Sequence, residues 1–147
     1  MLAKMLVLAT NAHAGQFDRG GAPYILHPLK VMHYLKTCDE ELQCIALGHD
    51  IIEDTSITYS ELLAAGMSMR VVEGIRTLTK QPGEGYDEYK ARVMQSRDAM
   101  LVKQCDLRHN SDIRRLKGVS EKDLSRIAKY SQFYLEIQIA LDQALEK

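Results

Sequence analysis

A chain of 147 residues is long enough to bury a core without disulfide or metal staples, so one compact domain over 1–147 is expected. Hydrophobic residues at 46% and charged residues at 27% exclude a disordered chain or a membrane protein, and a formal charge of −1 gives no global attraction to nucleic-acid backbones. The three cysteines, Cys38, Cys44 and Cys105, are an odd number without CxxC spacing and read as free thiols of a reducing cytoplasm.

The apolar stretch 1–10 is far too short for a membrane span and lacks a cleavage pattern, so it reads as a core helix. It carries Leu2, Met5, Leu6 and Ala9 at helical spacing and hands over to a loop containing Gly15, Gly20, Gly21 and Pro23. Pro28 fits the first turn of a second helix that runs to about Thr37 with Val31, Met32 and Leu35 on one face. A third helix is expected over 41–54, where the stripe Leu42, Ile45, Ala46, His49 and Glu53 begins apolar and turns polar. Thr58 with Glu61 forms a capping-box pattern for a short helix closed by Gly66, and Ser68 can cap the next, running to about Thr79. The segment 81–85 breaks the periodicity, and two helices follow over 86–95 and 99 to about 115. Ser120 caps a long last helix bearing Ile127, Tyr130, Tyr134, Ile137, Leu141 and Leu145. With no sustained period-2 alternation, the chain reads as an all-α bundle of seven or eight helices.

The polar end of the third stripe holds the chemistry. His49, Asp50, Glu53 and Asp54 lie within six positions, and three carboxylates that close repel one another unless a cation neutralises them. A second histidine, His27, is followed by Pro28, and Asp106 follows the apolar stretch Met100, Leu101 and Val102. Together, His27, His49, Asp50 and Asp106 form a mixed nitrogen and oxygen ligand set for one Mn²⁺, Fe²⁺ or Zn²⁺ ion, with Mn²⁺ favoured for an oxygen-rich substrate. A closed structural zinc site would use thiolates, and no cysteine pair is on offer. His13, His33 and His109 read as ordinary packed or surface residues, with a supporting role open for His13 or His109.

The pattern of Ala12 to Gln16, Pro23 to Pro28, His49 to Thr55 and Val102 to Asp106, followed by Asn110, resembles the HD hydrolase domain of RelA/SpoT-type alarmone enzymes. The resemblance implies an all-α HD phosphohydrolase architecture and a cytoplasmic Mn²⁺ enzyme that removes pyrophosphate from the 3′ position of guanosine tetra- and pentaphosphate. Carried over by position, it makes His27, His49, Asp50 and Asp106 the metal ligands, and Glu53 with Asp54 the catalytic pair that positions and activates water. Asn110 becomes a ribose contact, Arg126 with Tyr130 a phosphate and sugar contact, and Arg19 a partner for purine or phosphate. The expected partner is a small phosphorylated nucleotide, with no nucleic acid and no membrane, and the oligomeric state is open. With nothing after Lys147, a stand-alone small hydrolase is expected.

Two departures bear on the base. Relatives often carry two adjacent basic residues where this chain has Asp18 and Arg19, and Ile113 stands where guanine-selective relatives often have a small polar residue. An enzyme for NADPH or an adenine alarmone is therefore an alternative, as is a non-catalytic nucleotide sensor, although a sensor has no need of Glu53 and Asp54.

Overall fold

A computed structural model describes residues 1–145; the expected domain end at Lys147 lies outside them. The described residues form nine α-helices, a single 3-10 turn and no strand beyond an isolated bridge between Phe17 and Pro23. The all-α expectation is borne out. The helices are α1 (Leu2–Ala12), α2 (Leu26–Leu35), α3 (Glu40–Gly48), α4 (Ile51–Asp54), α5 (Tyr59–Ala64), α6 (Met69–Leu78), α7 (Tyr86–Val93), α8 (Arg97–Asn110) and α9 (Glu121–Leu145). Among the described residues no helix is long and apolar enough to cross a membrane.

Local chemistry explains most boundaries. Asp39 starts α3 by accepting from the Glu41 and Leu42 amides at 3.0 and 3.1 Å. Thr58 and Glu61 form the expected capping box of α5, and Ser68 caps α6. Ser120 and Asp123 exchange the same reciprocal bonds at the head of α9. The second helix starts at Leu26, ahead of Pro28, and ends at Leu35 because Lys36 turns left-handed at φ 49°.

Three expectations are corrected. The helix expected over 41–54 is two, α3 and α4, broken at His49 and Asp50, and counting the bent pair as one unit restores a total of eight. The helix expected from 99 to about 115 starts earlier, capped by Ser96, and stops at Asn110. Residues 113–115 form a 3-10 turn in which the Arg114 amide donates to the Asp112 side chain. On α9 the buried stripe is Phe133, Ile137 and Leu141 at i, i+4 spacing, while Leu145 is exposed.

Helix α3 is the centre of the molecule. Cys44, Ile45, Ala46 and Leu47 are all fully buried because α1, α2, α6 and α8 pack around it. A helix surrounded on every side needs apolar residues at consecutive positions rather than a single stripe. Two glycines let α3 and α6 approach closely. A methyl on Gly74 would lie 2.5 Å from Ile45 Cδ1, and one on Gly48 would lie 2.6 Å from Ile75 Cδ1. Helix α9 closes the bundle over α8.

Candidate metal centre

Three elements deliver four donor atoms to one point. His27 comes from the first turn of α2, His49 and Asp50 from the break between α3 and α4, and Asp106 from the middle of α8. The break matters, because ending α3 at Gly48 lets two adjacent residues both face the site, which a continuous helix forbids. Donor atoms of His27, His49 and Asp50 all lie within 4.8 Å of one another. The two Nε2 atoms are 3.2 Å apart. Asp50 Oδ2 is 2.9 Å from His49 Nε2 and 3.5 Å from His27 Nε2. Asp106 Oδ1 is 3.0 Å from His27 Nε2 and 3.5 Å from His49 Nε2, so it joins the same cluster.

Hydrogen bonds on the far sides of the imidazoles set their tautomers. His49 Nδ1 lies 2.7 Å from the Ala46 carbonyl, which can only accept, so the Nδ1 carries a proton and Nε2 is the atom turned to the cluster. His27 Nδ1 faces His109 Nδ1 at 2.7 Å, one ring donating to the other, and burial, Arg115 and His27 push the His109 imidazole down to about 4. Both Nε2 atoms face two carboxylates in a pocket where His27, His49 and Asp106 are almost wholly buried. That set has two buried negative charges in close contact and requires a positive charge among them. The His49 imidazole shows the same demand: burial opposes its charge, yet Asp50 and Asp106 raise its pKa well above 6.5. Two imidazole nitrogens and two carboxylate oxygens fit a divalent transition ion.

Surrounding residues hold these donors in place. Burial works to raise the Asp106 carboxyl, but Lys103, His27 and His49 overcome it and keep it well below the usual range. Lys103 Nζ is 2.8 Å from Asp106 Oδ2, and Asn110 Nδ2 donates to Asp106 Oδ1 at 2.7 Å. Tyr24 donates its hydroxyl to Asp50 Oδ2 at 2.5 Å. Gln16 donates to the Asp54 carbonyl at 2.7 Å and accepts from His13 Nδ1 at 2.7 Å, leaving the buried His13 Nε2 without a partner.

Glu53 and Asp54 lie on α4 beside the cluster, open to solvent. Partial burial, Asp50 and Asp54 push the Glu53 carboxyl up against the bond it accepts from the Lys80 amide; burial and Asp50 push Asp54 up. A cavity of about 280 Å³ opens nearby, lined in part by Arg19, Tyr24, Asn110, Arg126 and Tyr130. All four residues expected to touch a nucleotide thus share one hollow. Its cations are partly engaged already: Arg126 pairs with Asp123, and the exposed Arg19 lies 3.9 Å from the same carboxylate.

The sequence reading missed Tyr24, Lys103 and Arg115, and it left His109 as background. Lys103 was within reach, since a lysine three positions before Asp106 on a helix shares its face. Tyr24, in the loop before α2, and Arg115, on the 3-10 turn after α8, reach Asp50 and Asp18 across the fold and left no such periodic signal.

No protein-family model matches the chain. It is 34% identical over 135 residues to a guanosine-3′,5′-bis(diphosphate) 3′-pyrophosphohydrolase of Haemophilus influenzae, a match covering 84% of this chain and 20% of that one. It is 31% identical to the bifunctional (p)ppGpp synthase/hydrolase SpoT of Escherichia coli, covering 87% and 20%. It is also 31% identical to a GTP pyrophosphokinase of Myxococcus xanthus, covering 88% and 19%. The chain therefore spans about a fifth of the length of the curated relatives it matches. Among solved structures, a metazoan ortholog of SpoT described as hydrolysing ppGpp superposes with a TM-score of 0.77 at 20% identity, covering 97% of this chain and 92% of that one. The resemblance read from the motifs is borne out: over more than four fifths of its length this chain is similar to one segment of the SpoT-type pyrophosphohydrolases, and it shares the fold of their metazoan ortholog.

Proposed function

We propose that residues 1–147 form one catalytic domain that hydrolyses the 3′-pyrophosphate of guanosine 3′,5′-bis(diphosphate)-type alarmones, using one divalent ion, Mn²⁺ by preference. The reading is supported most by the convergence of His27, His49, Asp50 and Asp106 beside the Glu53 and Asp54 pair. The names and activities of the relatives point the same way, and a cytoplasmic setting follows from such a substrate.

A divalent ion held by the four donors would supply the Lewis acidity that makes water a nucleophile near neutral pH. Glu53, its carboxyl raised, is suited to take the proton of that water, while Asp54 on the same short helix orients it. Water adds to the phosphorus attached to the ribose 3′ oxygen and that ester bond breaks, leaving a 3′-hydroxyl and pyrophosphate. Arg19, Arg126, Tyr130 and Asn110, lining one cavity, would hold the nucleotide.

The test is turnover of the guanosine tetraphosphate by purified protein with Mn²⁺, read as pyrophosphate release. Glu53→Gln should lower kcat by about a hundredfold or more while nucleotide binding persists, because only proton transfer is removed. Turnover unaffected by Glu53→Gln would remove the residue from catalysis, and no turnover in the wild type would defeat the substrate assignment. Asp18 on the cavity wall and the exposed Ile113 favour a second reading, in which the substrate is another phosphorylated nucleotide such as NADPH or an adenine alarmone. A side-by-side assay separates the two, since NADPH would release orthophosphate.

A further inference from the structure

Arg115 sits on the 3-10 turn after α8 and spends its guanidinium on the protein. Nη1 donates to the His109 carbonyl and to Asn110 Oδ1, both at 3.1 Å, and Nη2 lies 3.3 Å from Asp18 Oδ2. Each partner leads elsewhere. Asn110 donates to Asp106 Oδ1. Asp18 accepts from the Ala22 amide at 2.9 Å and so ties down the loop 14–25 that carries Arg19 and Tyr24. The same loop meets the Arg115 backbone: a methyl on Gly20 would lie 2.1 Å from the Arg115 carbonyl oxygen, so only glycine allows this approach. Arg115 and Asp18 also line a second hollow of about 400 Å³ with His27 and His109, so their pair is a wall shared by two cavities.

We propose that Arg115 is a positioning residue that clamps the nucleotide side of the site, joining the loop that carries Arg19 and Tyr24 to Asn110 and, through Asn110, to Asp106. This rests on the reading under Proposed function. A planar fork with several donors can hold three acceptors on two segments at once, which the single ammonium of lysine cannot. Asp18, an acidic residue where relatives often have a basic one, is then the anchor that Arg115 requires rather than a lost phosphate contact. One arm of the clamp governs the loop and reaches the metal site only through Tyr24 and Asp50, while the other leads through Asn110 directly to Asp106, so the two arms differ in how far they affect metal binding.

The experiment measures kcat and KM for the guanosine tetraphosphate with Mn²⁺, and separately the affinity for Mn²⁺ alone by calorimetry, with the thermal midpoint as a control. Arg115→Ala should raise KM and weaken Mn²⁺ binding, each by about tenfold, because it cuts both arms. Arg115→Gln, closer in shape, serves if the alanine variant does not fold, and Arg115→Lys should recover KM in part without recovering Mn²⁺ affinity. Asp18→Asn and Gly20→Ala cut only the loop arm, so they should raise KM about as much as Arg115→Ala does but cost less Mn²⁺ affinity, because that arm reaches the ligands only through Tyr24 and Asp50. An Arg115→Ala protein with a lower thermal midpoint but unchanged KM and Mn²⁺ affinity would reduce Arg115 to a brace of the fold and overturn the proposal. If the wild type turns over no nucleotide but binds Mn²⁺, the function reading fails and the Mn²⁺ arm alone decides Arg115. If it does neither, the proposal falls as well.

Discussion

At the scale of single residues, Asp106 shows how the site is held. Its carboxylate is almost wholly buried, and it faces Lys103 and Asn110 on its own helix as well as the imidazoles of His27 and His49. Lys103 is the only one of these that carries a fixed positive charge. Replacing it with methionine keeps the packing of the side-chain stem but leaves an acid beside two imidazoles without its nearest cation. Lys103→Met should therefore destabilise the metal-free protein by about 3 kcal/mol, less for the partial exposure of Lys103, and added Mn²⁺ should recover much of the loss. Urea unfolding with and without Mn²⁺ checks this, and an equal loss in both conditions would mean that lysine and metal do not share the work of neutralising Asp106. The four candidate ligands were legible in the sequence because histidine and aspartate in apolar surroundings are costly without a purpose. Tyr24 and Arg115 were not legible, since a tyrosine in a loop and an arginine on a 3-10 turn are ordinary until the fold brings them to Asp50 and Asp18.

At the scale of elements, the stripe from Leu42 to Glu53 was correctly read as helical and as switching from apolar to polar. What periodicity could not reveal was the break at its centre. Asp50 has φ −104° and ψ −2°, a bridge-region geometry that no residue pattern announces, and it is this break that turns His49 and Asp50 together toward α2 and α8. The position of α3 depends in turn on its crossing with α6, where Gly74 faces Ile45 at a distance no side chain could share. Gly74→Ala should cost about 1–3 kcal/mol, since gains in helix propensity are outweighed by overpacking of a fully buried isoleucine. Thermal unfolding measures the loss, and a variant as stable as wild type would mean that α3 and α6 can separate without disturbing the core. Because α3 ends in the site, the same variant should also weaken Mn²⁺ binding.

At the scale of the whole molecule, the bundle places one buried, electron-rich cluster where α2, α3 and α8 meet, with an acidic pair on α4 at its edge and a cation-lined cavity beside it. The helical class was readable from periodicity throughout, while the meeting of residues 27, 49, 50 and 106 depends on packing between helices far apart in sequence. The most direct measurement is a calorimetric titration of the metal-free protein with Mn²⁺, repeated on His27→Ala and Asp106→Ala. One ion should bind per chain in the wild type, and each variant should lose most of that affinity, since each removes a donor from a different helix. Absence of binding in the wild type, or binding that survives both substitutions unchanged, would contradict a metal centre built from these four side chains.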